Sequence, residues 1–252
     1  MIWTTLLCLA LGDVGIDQRV GESVSLDLVF RDERGAPLRL KEATGGRTTV
    51  LALVYYRCPM LCNQILNGLL QTLLELKLDA GRDFNVVALS FDPSEGSELA
   101  QARREHVLKS YGRPSGREGW RFLTGERDAV ERVCRETGFR TSFDRATGQY
   151  AHGAALVVLT PDGKISRYLF GVSYPARELR LSLVEASAGK IATAGDQFLL
   201  LCMQYDAASG KYGLAVTRLV KAAAVATVLG LGVLIVLLSR RAKPAAAAGG
   251  GS

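Results

Sequence analysis

At 252 residues the chain can hold one generous domain or two small ones, and its 48% hydrophobic content is ample for a packed core. The net charge of +6 and pI of about 9.2 come from scattered Lys and Arg, with Arg103-Arg104 and Arg240-Arg241 the only adjacent basic pairs. That scatter argues against a nucleic-acid stripe and for a basic surface lying near anionic lipid, while five cysteines at irregular spacing exclude a structural disulfide framework.

The first segment, 1–13, is apolar enough for a signal-peptide core but lacks a basic start and a small-residue cleavage site, so it reads as a poor or truncated signal, with Cys8 inert inside it. From Gly21 to Leu40 alternating apolar residues around the turn Asp32-Glu33-Arg34-Gly35 predict a hairpin. Leu51 to Tyr56 is a continuous apolar strand, and Ile65, Leu69, Leu70, Leu73, Leu74 and Leu76 recur at helical spacing over Asn63 to Leu78. A strand at Asn85 to Phe91, a polar helix at Glu98 to Tyr111, a strand at Trp120 to Leu123 and a helix at Arg127 to Thr137 follow. Ala154 to Thr160 and Lys164 to Phe170 form a second hairpin about Pro161-Asp162-Gly163, and a helix at Pro175 to Ala188 closes the domain. Alternating strands and helices ended by a hairpin give an α/β, thioredoxin-like fold over 14–195 with an N-terminal hairpin extension. There is no internal repeat and no dinucleotide or phosphate-loop glycine pattern.

In such a fold the first strand-to-helix junction lies at the carboxyl end of the sheet, and Cys58-Pro59-Met60-Leu61-Cys62 occupies it. Two thiols four positions apart fall on one helix face if the segment winds up, so both sulfurs can grip one ion. The extra residue relative to a CxxC favours shared coordination over a tight redox loop, and a disulfide remains open to the same pair. Arg57, directly before Cys58, would depress the thiolate pKa. A soft ion wants thiolates and a borderline one adds imidazole, and the chain has two histidines. His106 lies on a charged helix and reads as an exposed bystander, whereas His152 precedes Ala154 to Thr160 and is either a ligand or a satisfied structural group. Cys134 reads as a buried small hydrophobe, and Cys202-Met203 as a packed pair with an auxiliary soft site as the alternative.

After a juxtamembrane segment, 196–213, the residues 214–239 include about 17 uncharged positions, Ala222 to Leu238, near the lower limit for a transmembrane helix. Lys211, Arg218 and Lys221 on one side and Arg240-Arg241 and Lys243 on the other nearly cancel the positive-inside signal, and a low-complexity tail ends the chain at 240–252. If the first segment directs export, the domain lies outside and the basic tail inside.

The stretches LVYYRCPMLCNQILNGL, VVALSFDP, GWRFLTG, YAHGAALVVLTPDGKISRYLFG and LLCMQYDAASGKYG resemble the Sco/SenC family of copper chaperones for cytochrome c oxidase assembly, over roughly Val14 to Tyr212. The resemblance implies that Cys58, Cys62 and His152 bind one copper, as Cu(I) or Cu(II), and pass it by ligand exchange from a shallow, partly exposed site. It further implies a copper-containing oxidase subunit as recipient, other copper chaperones or thiol reductants as further partners, and a single-pass protein of the bacterial inner membrane with its domain on the periplasmic side. The alternative is a membrane-anchored thiol-disulfide oxidoreductase in which Cys58 and Cys62 cycle between dithiol and disulfide. The chain departs from the family pattern after Asp92-Pro93, where Glu95 or Glu98 stands out of register for a second acidic residue and a partner-docking role, and in its C-terminal rather than N-terminal anchor.

Overall fold

The computed structural model describes residues 14–192, 205–206, 211–212 and 214–241, with side chains of the last segment described at 221 and 224–238. The chain divides into two compact units, Met1–Ala192 and Thr193–Ser252. In the first unit the elements run β1 (Gly15–Ile16), β2 (Val29–Arg31), β3 (Pro37–Arg39), α1 (Leu40–Thr44), β4 (Thr49–Val54), α2 (Leu61–Glu75), β5 (Asn85–Ser90) and α3 (Ser97–Tyr111). They continue through α4 (Gly116–Gly119), β6 (Trp120–Leu123), α5 (Arg127–Glu136), β7 (Phe139–Asp144), β8 (Gln149–His152), β9 (Ala155–Leu159), β10 (Ile165–Phe170) and α6 (Ala176–Ser187).

Five strands make the central sheet in the order β10-β9-β4-β5-β6. β4 pairs in parallel with β5, and β5 with β6, while β9 runs antiparallel to β4 and to β10. All six positions of β4 (TVLALV) and all six of β5 (NVVALS) are buried. A strand covered on both faces gains nothing from alternation, which is why these segments read as unbroken apolar runs. The α2 stripe packs Ile65, Leu69 and Leu73 with no exposed surface, each worth roughly 1.5–3 kcal/mol of burial, and α2 meets β4, α3 and α6. Leu74, expected in that stripe, is instead 40% exposed.

The hairpin predicted around Asp32 is present as β2 and β3, short, with Val29 opposite Arg39 and Arg31 opposite Pro37. A feature not expected is a separate three-stranded sheet, β1-β7-β8, in which Thr141 pairs with His152 and Asp144 with Gln149. His152 therefore ends a strand of this second sheet rather than standing in a loop ahead of β9.

In the second unit, β11 (Tyr205–Asp206) and β12 (Lys211–Tyr212) pair antiparallel, and α7 runs over Leu214–Arg241 as 28 residues of helix. A helix thus covers 214–239, but the expectation that it spans a membrane finds no support. Among the described residues no helix is long and apolar enough to cross a membrane. Cys8, Cys202, Met203 and the segments 1–13 and 242–252 lie outside the described residues.

Candidate metal centre

The strand β4 delivers the chain to the carboxyl end of the sheet, where it turns at Tyr55 to Met60 before α2 begins at Leu61. Pro59 cannot donate a backbone hydrogen bond, and the helix starts two residues later. Cys58 is therefore outside the helix, correcting the expectation of two thiols on one helical face. Its role is a different one: Cys58 Sγ accepts the Cys62 N–H at 3.3 Å, satisfying one of the free amides in the first turn of α2. The two sulfurs are held together by helix capping rather than helical periodicity.

Cys62, in that first turn, accepts the Tyr55 N–H at 3.3 Å and lies 3.3 Å from His152 Nε2. Among the described residues, one group of His, Cys, Asp and Glu side chains is close enough to share an ion: the ligand atoms of Cys58, Cys62 and His152 all fall within 4.8 Å of one another. Three donors sharing one ion at bond lengths of about 2.0–2.3 Å stand about 3.5–4.0 Å apart, so a closure of up to about 1 Å completes the set. Two sulfurs and one imidazole suit copper in either common oxidation state.

The imidazole is prepared for this. His152 Nδ1 lies 2.8 Å from the Gly153 carbonyl, which can only accept, so Nδ1 carries the proton and Nε2 turns its lone pair toward the sulfurs. The ring packs among Phe91, Tyr55 and Phe139 at centroid distances of 5.2, 5.9 and 6.1 Å. Burial in that wall lowers the His152 pKa against the opposing pull of the Gly153 bond, so the ring is neutral at pH 7.

The two thiols differ. Burial pushes Cys58 up, but the N–H groups of Cys62 and Met60 and the Tyr55 hydroxyl outweigh it and bring the thiol below its ordinary value. Cys62 is pushed well up, chiefly by burial and then by the charge of Cys58, against the Tyr55 N–H. Arg57 plays no part in this: it is exposed and its guanidinium reaches Ser94 Oγ at 3.2 Å, which corrects the role expected from its position. Nor is the site shallow. Cys58 and Cys62 are 4% and 2% exposed, and the loop offers Met60, 64% exposed, to solvent in their place.

His106 is exposed on α3, as expected of a bystander, and Cys134 is half-buried on α5, its thiol pushed up to about 12 by burial. Glu95, weighed as a docking residue, is buried and accepts the Tyr56 and Arg57 amides, each at 2.7 Å. Tyr55, Asn63 and Arg103 are site residues that the sequence does not reveal, and Glu95 shows in it only as a displaced acidic residue three positions after Asp92 and not as a holder of the loop backbone.

This arrangement of a strand-end CxxxC facing a histidine from a second small sheet has counterparts. The sequence profile of the SCO1/SenC family matches residues 17–183, about two thirds of the chain. The chain belongs to the SCO1/SenC family. No curated protein matches it. Among solved structures it is similar to a candidate electron transfer protein from Aquifex aeolicus VF5, at 26% identity and TM-score 0.59, covering 68% of this chain and 95% of that one. A SCO1/SenC family lipoprotein from Bacillus anthracis str. Ames aligns at 18% identity and TM-score 0.55, over 68% of this chain and 99% of that one. Arabidopsis thaliana ScoI with copper bound aligns at 15% identity and TM-score 0.53, over 66% and 99%. The last two show the fold, and the thioredoxin-like α/β reading of this SCO1/SenC chain stands with them.

Proposed function

We propose that this protein is a copper metallochaperone: it binds one copper through Cys58, Cys62 and His152 and delivers it to a copper-containing subunit of cytochrome c oxidase. The observation that carries the reading is the gathering of the three donor atoms within 4.8 Å, with the imidazole lone pair already aimed at them. Copper is cargo here, not a resident group. Cys58, the more acidic of the two thiols, gives up its proton more readily, and Cys62 releases its proton as its sulfur takes the metal. His152 supplies the third donor. Unloading reverses these steps as incoming ligands of the recipient replace the three in turn, and because both sulfurs are buried the 57–60 turn has to open for it. Family membership supports the delivery step, since a similar protein, BsSco, is described as a member of the Sco family of cytochrome c oxidase assembly proteins.

In this reading 214–239 crosses the bacterial inner membrane once and holds the domain on its periplasmic side, with the uncharged run Ala222 to Leu238 in the bilayer and the basic tail in the cytoplasm. An alkaline-phosphatase fusion at Gly195 is then active, and an inactive fusion counts against export. Copper delivery is tested by mixing the loaded protein with a copper-stripped oxidase subunit and following the recipient's copper absorption. Absorption that appears with wild type and fails with His152→Ala supports the reading, and absorption that never appears sinks the delivery step.

One observation favours a second reading, a thiol-disulfide oxidoreductase. The thiols are unequal, Cys58 lowered and Cys62 raised, as an attacking and a resolving thiol would be. Cys58 thiolate would attack a partner disulfide, and Cys62 would then displace the partner's second thiolate, leaving Cys58–Cys62 oxidised and the partner reduced by two electrons. Regeneration needs a thiol reductant. The two readings part at His152, which coordination requires and exchange does not.

A further inference from the structure

Three backbone positions leading into the first thiol are held by charged groups from a neighbouring element. Glu95, in the turn between β5 and α3, is 5% exposed. Its Oε2 accepts the Tyr56 N–H at 2.7 Å and the Ser90 hydroxyl at 2.6 Å, and its Oε1 accepts the Arg57 N–H at 2.7 Å. From α3, Arg103 donates through Nε to the Tyr56 carbonyl at 2.9 Å and through its two terminal nitrogens to the same carbonyl and to Asn63 Oδ1. Asn63 donates in turn to the Cys58 carbonyl at 3.1 Å. The peptide joining Tyr56 to Arg57 is thus fixed at both ends, its N–H by a carboxylate and its C=O by a guanidinium.

The fold does not need this. β4 and β5 are already joined by a full parallel ladder from Thr49 to Val54, and the turn after β5 is tied by Asp92 to the Ser94 N–H at 2.9 Å. Burying a carboxylate is costly unless its oxygens are well used, and here all three of its bonds are short and two of them go to the residues just before Cys58. We propose that Glu95, with Arg103, is the positioning residue of the copper ligands: the pair fixes the 56–58 backbone so that the Cys58 sulfur stands beside Cys62 and His152 before metal arrives. The proposal rests on the copper reading above and deepens it. In its physics the pair resembles the outer groups that orient metal ligands elsewhere, whose loss commonly weakens binding about 10–100-fold.

The test pairs Glu95→Gln with Arg103→Gln. In Glu95→Gln the amide NH2 cannot accept, so one of the two loop amides loses its partner at almost no change in volume. Two readouts are taken on each purified protein: Cu(I) affinity by competition with a chelator of known strength, and amide exchange by NMR at Tyr56 and Arg57 beside Leu51 and Leu53 of β4. We expect a loss of copper affinity of about 10–100-fold in both variants. We also expect faster exchange at Tyr56 and Arg57 with Leu51 and Leu53 unchanged. Variants that bind copper as tightly as the wild type overturn the positioning role while leaving the copper site intact. Faster exchange throughout β4 in both variants overturns it too, since the pair would then be holding the sheet. A wild type that binds no copper removes the copper reading itself, a result separable from the others because it appears before any substitution is made.

Discussion

Gly68 lies inside α2, where Ala would ordinarily gain about 1 kcal/mol of helix propensity. The structure reverses that expectation. A Cβ at Gly68 would stand 1.8 Å from the Val172 carbonyl oxygen and 2.9 Å from its carbon, both main-chain atoms in the segment between β10 and α6. Reaching even the 3.0 Å below which real contacts are essentially absent requires a separation of 3.0 − 1.8 = 1.2 Å. The helix cannot yield cheaply, because four residues on Thr72 donates to the Tyr174 carbonyl at 2.7 Å and Leu69 and Leu73 are fully buried. Overpacking of this kind costs typically 1–3 kcal/mol and more where the obstacle is backbone, so Gly68→Ala should destabilise by about 3 kcal/mol net of propensity. For a unit of this size that is a fall in Tm of roughly 6–12 °C. Thermal unfolding of residues 14–192, followed by circular dichroism, measures it. Because Cys62 opens the same helix, copper affinity should fall with stability. A Tm equal to or above the wild type's would show that α2 does not seat on Val172 as described, and the placing of Cys62 would lose its support.

Three further outcomes follow from the site and its surroundings. Tyr55→Phe removes the hydroxyl that supports the Cys58 sulfur, so the Cys58 thiol should titrate at higher pH by its ultraviolet thiolate absorbance in a Cys62→Ser background, whereas Arg57→Ala should leave it in place. A shift with Arg57→Ala and none with Tyr55→Phe would reverse the assignment of causes. Glu136 accepts the Ser25 N–H and hydroxyl at 2.7 and 2.6 Å and Arg132 at 2.9 Å; burial pushes its carboxyl up, but these donors outweigh it and hold the folded pKa below the ordinary 4.5. Its stabilisation is therefore complete above the unfolded pKa and lost as pH falls through the lower folded value, so Glu136→Gln should cost roughly 1–2 kcal/mol at pH 7 and progressively less below about pH 4.5 in denaturant titrations. A deficit that stays constant down to pH 3 would contradict the linkage.

The central sheet was legible because burial on both faces writes itself as unbroken apolar runs, and β4, β5, β6, β9 and β10 fall within one or two residues of where those runs predict them. The thiol pair was legible for a reason that did not hold: its spacing suggests one helix face, whereas the contact arises from Cys58 Sγ capping the helix that carries Cys62. β7 and β8 leave little trace in the sequence, because Phe139 to Asp144 is mostly exposed beyond its first residue and carries little apolar signal. The sequence alone therefore leaves His152 open, since it is this hairpin, turning at Gly148 with φ of 67°, that brings it 90 residues back to Cys62. Glu95 and Arg103 were illegible because they bind main chain, and a sequence gives no sign of which peptide a charged side chain will hold.

The most direct test of the account is copper stoichiometry on residues 14–192, purified reduced without oxygen, beside Cys58→Ser, Cys62→Ser and His152→Ala. One tightly held copper per chain, lost or greatly weakened in all three variants, is the predicted result. A wild type that yields its copper to a modest chelator, or a His152→Ala variant that binds as well as the wild type, would contradict the claim that these three side chains form a copper site.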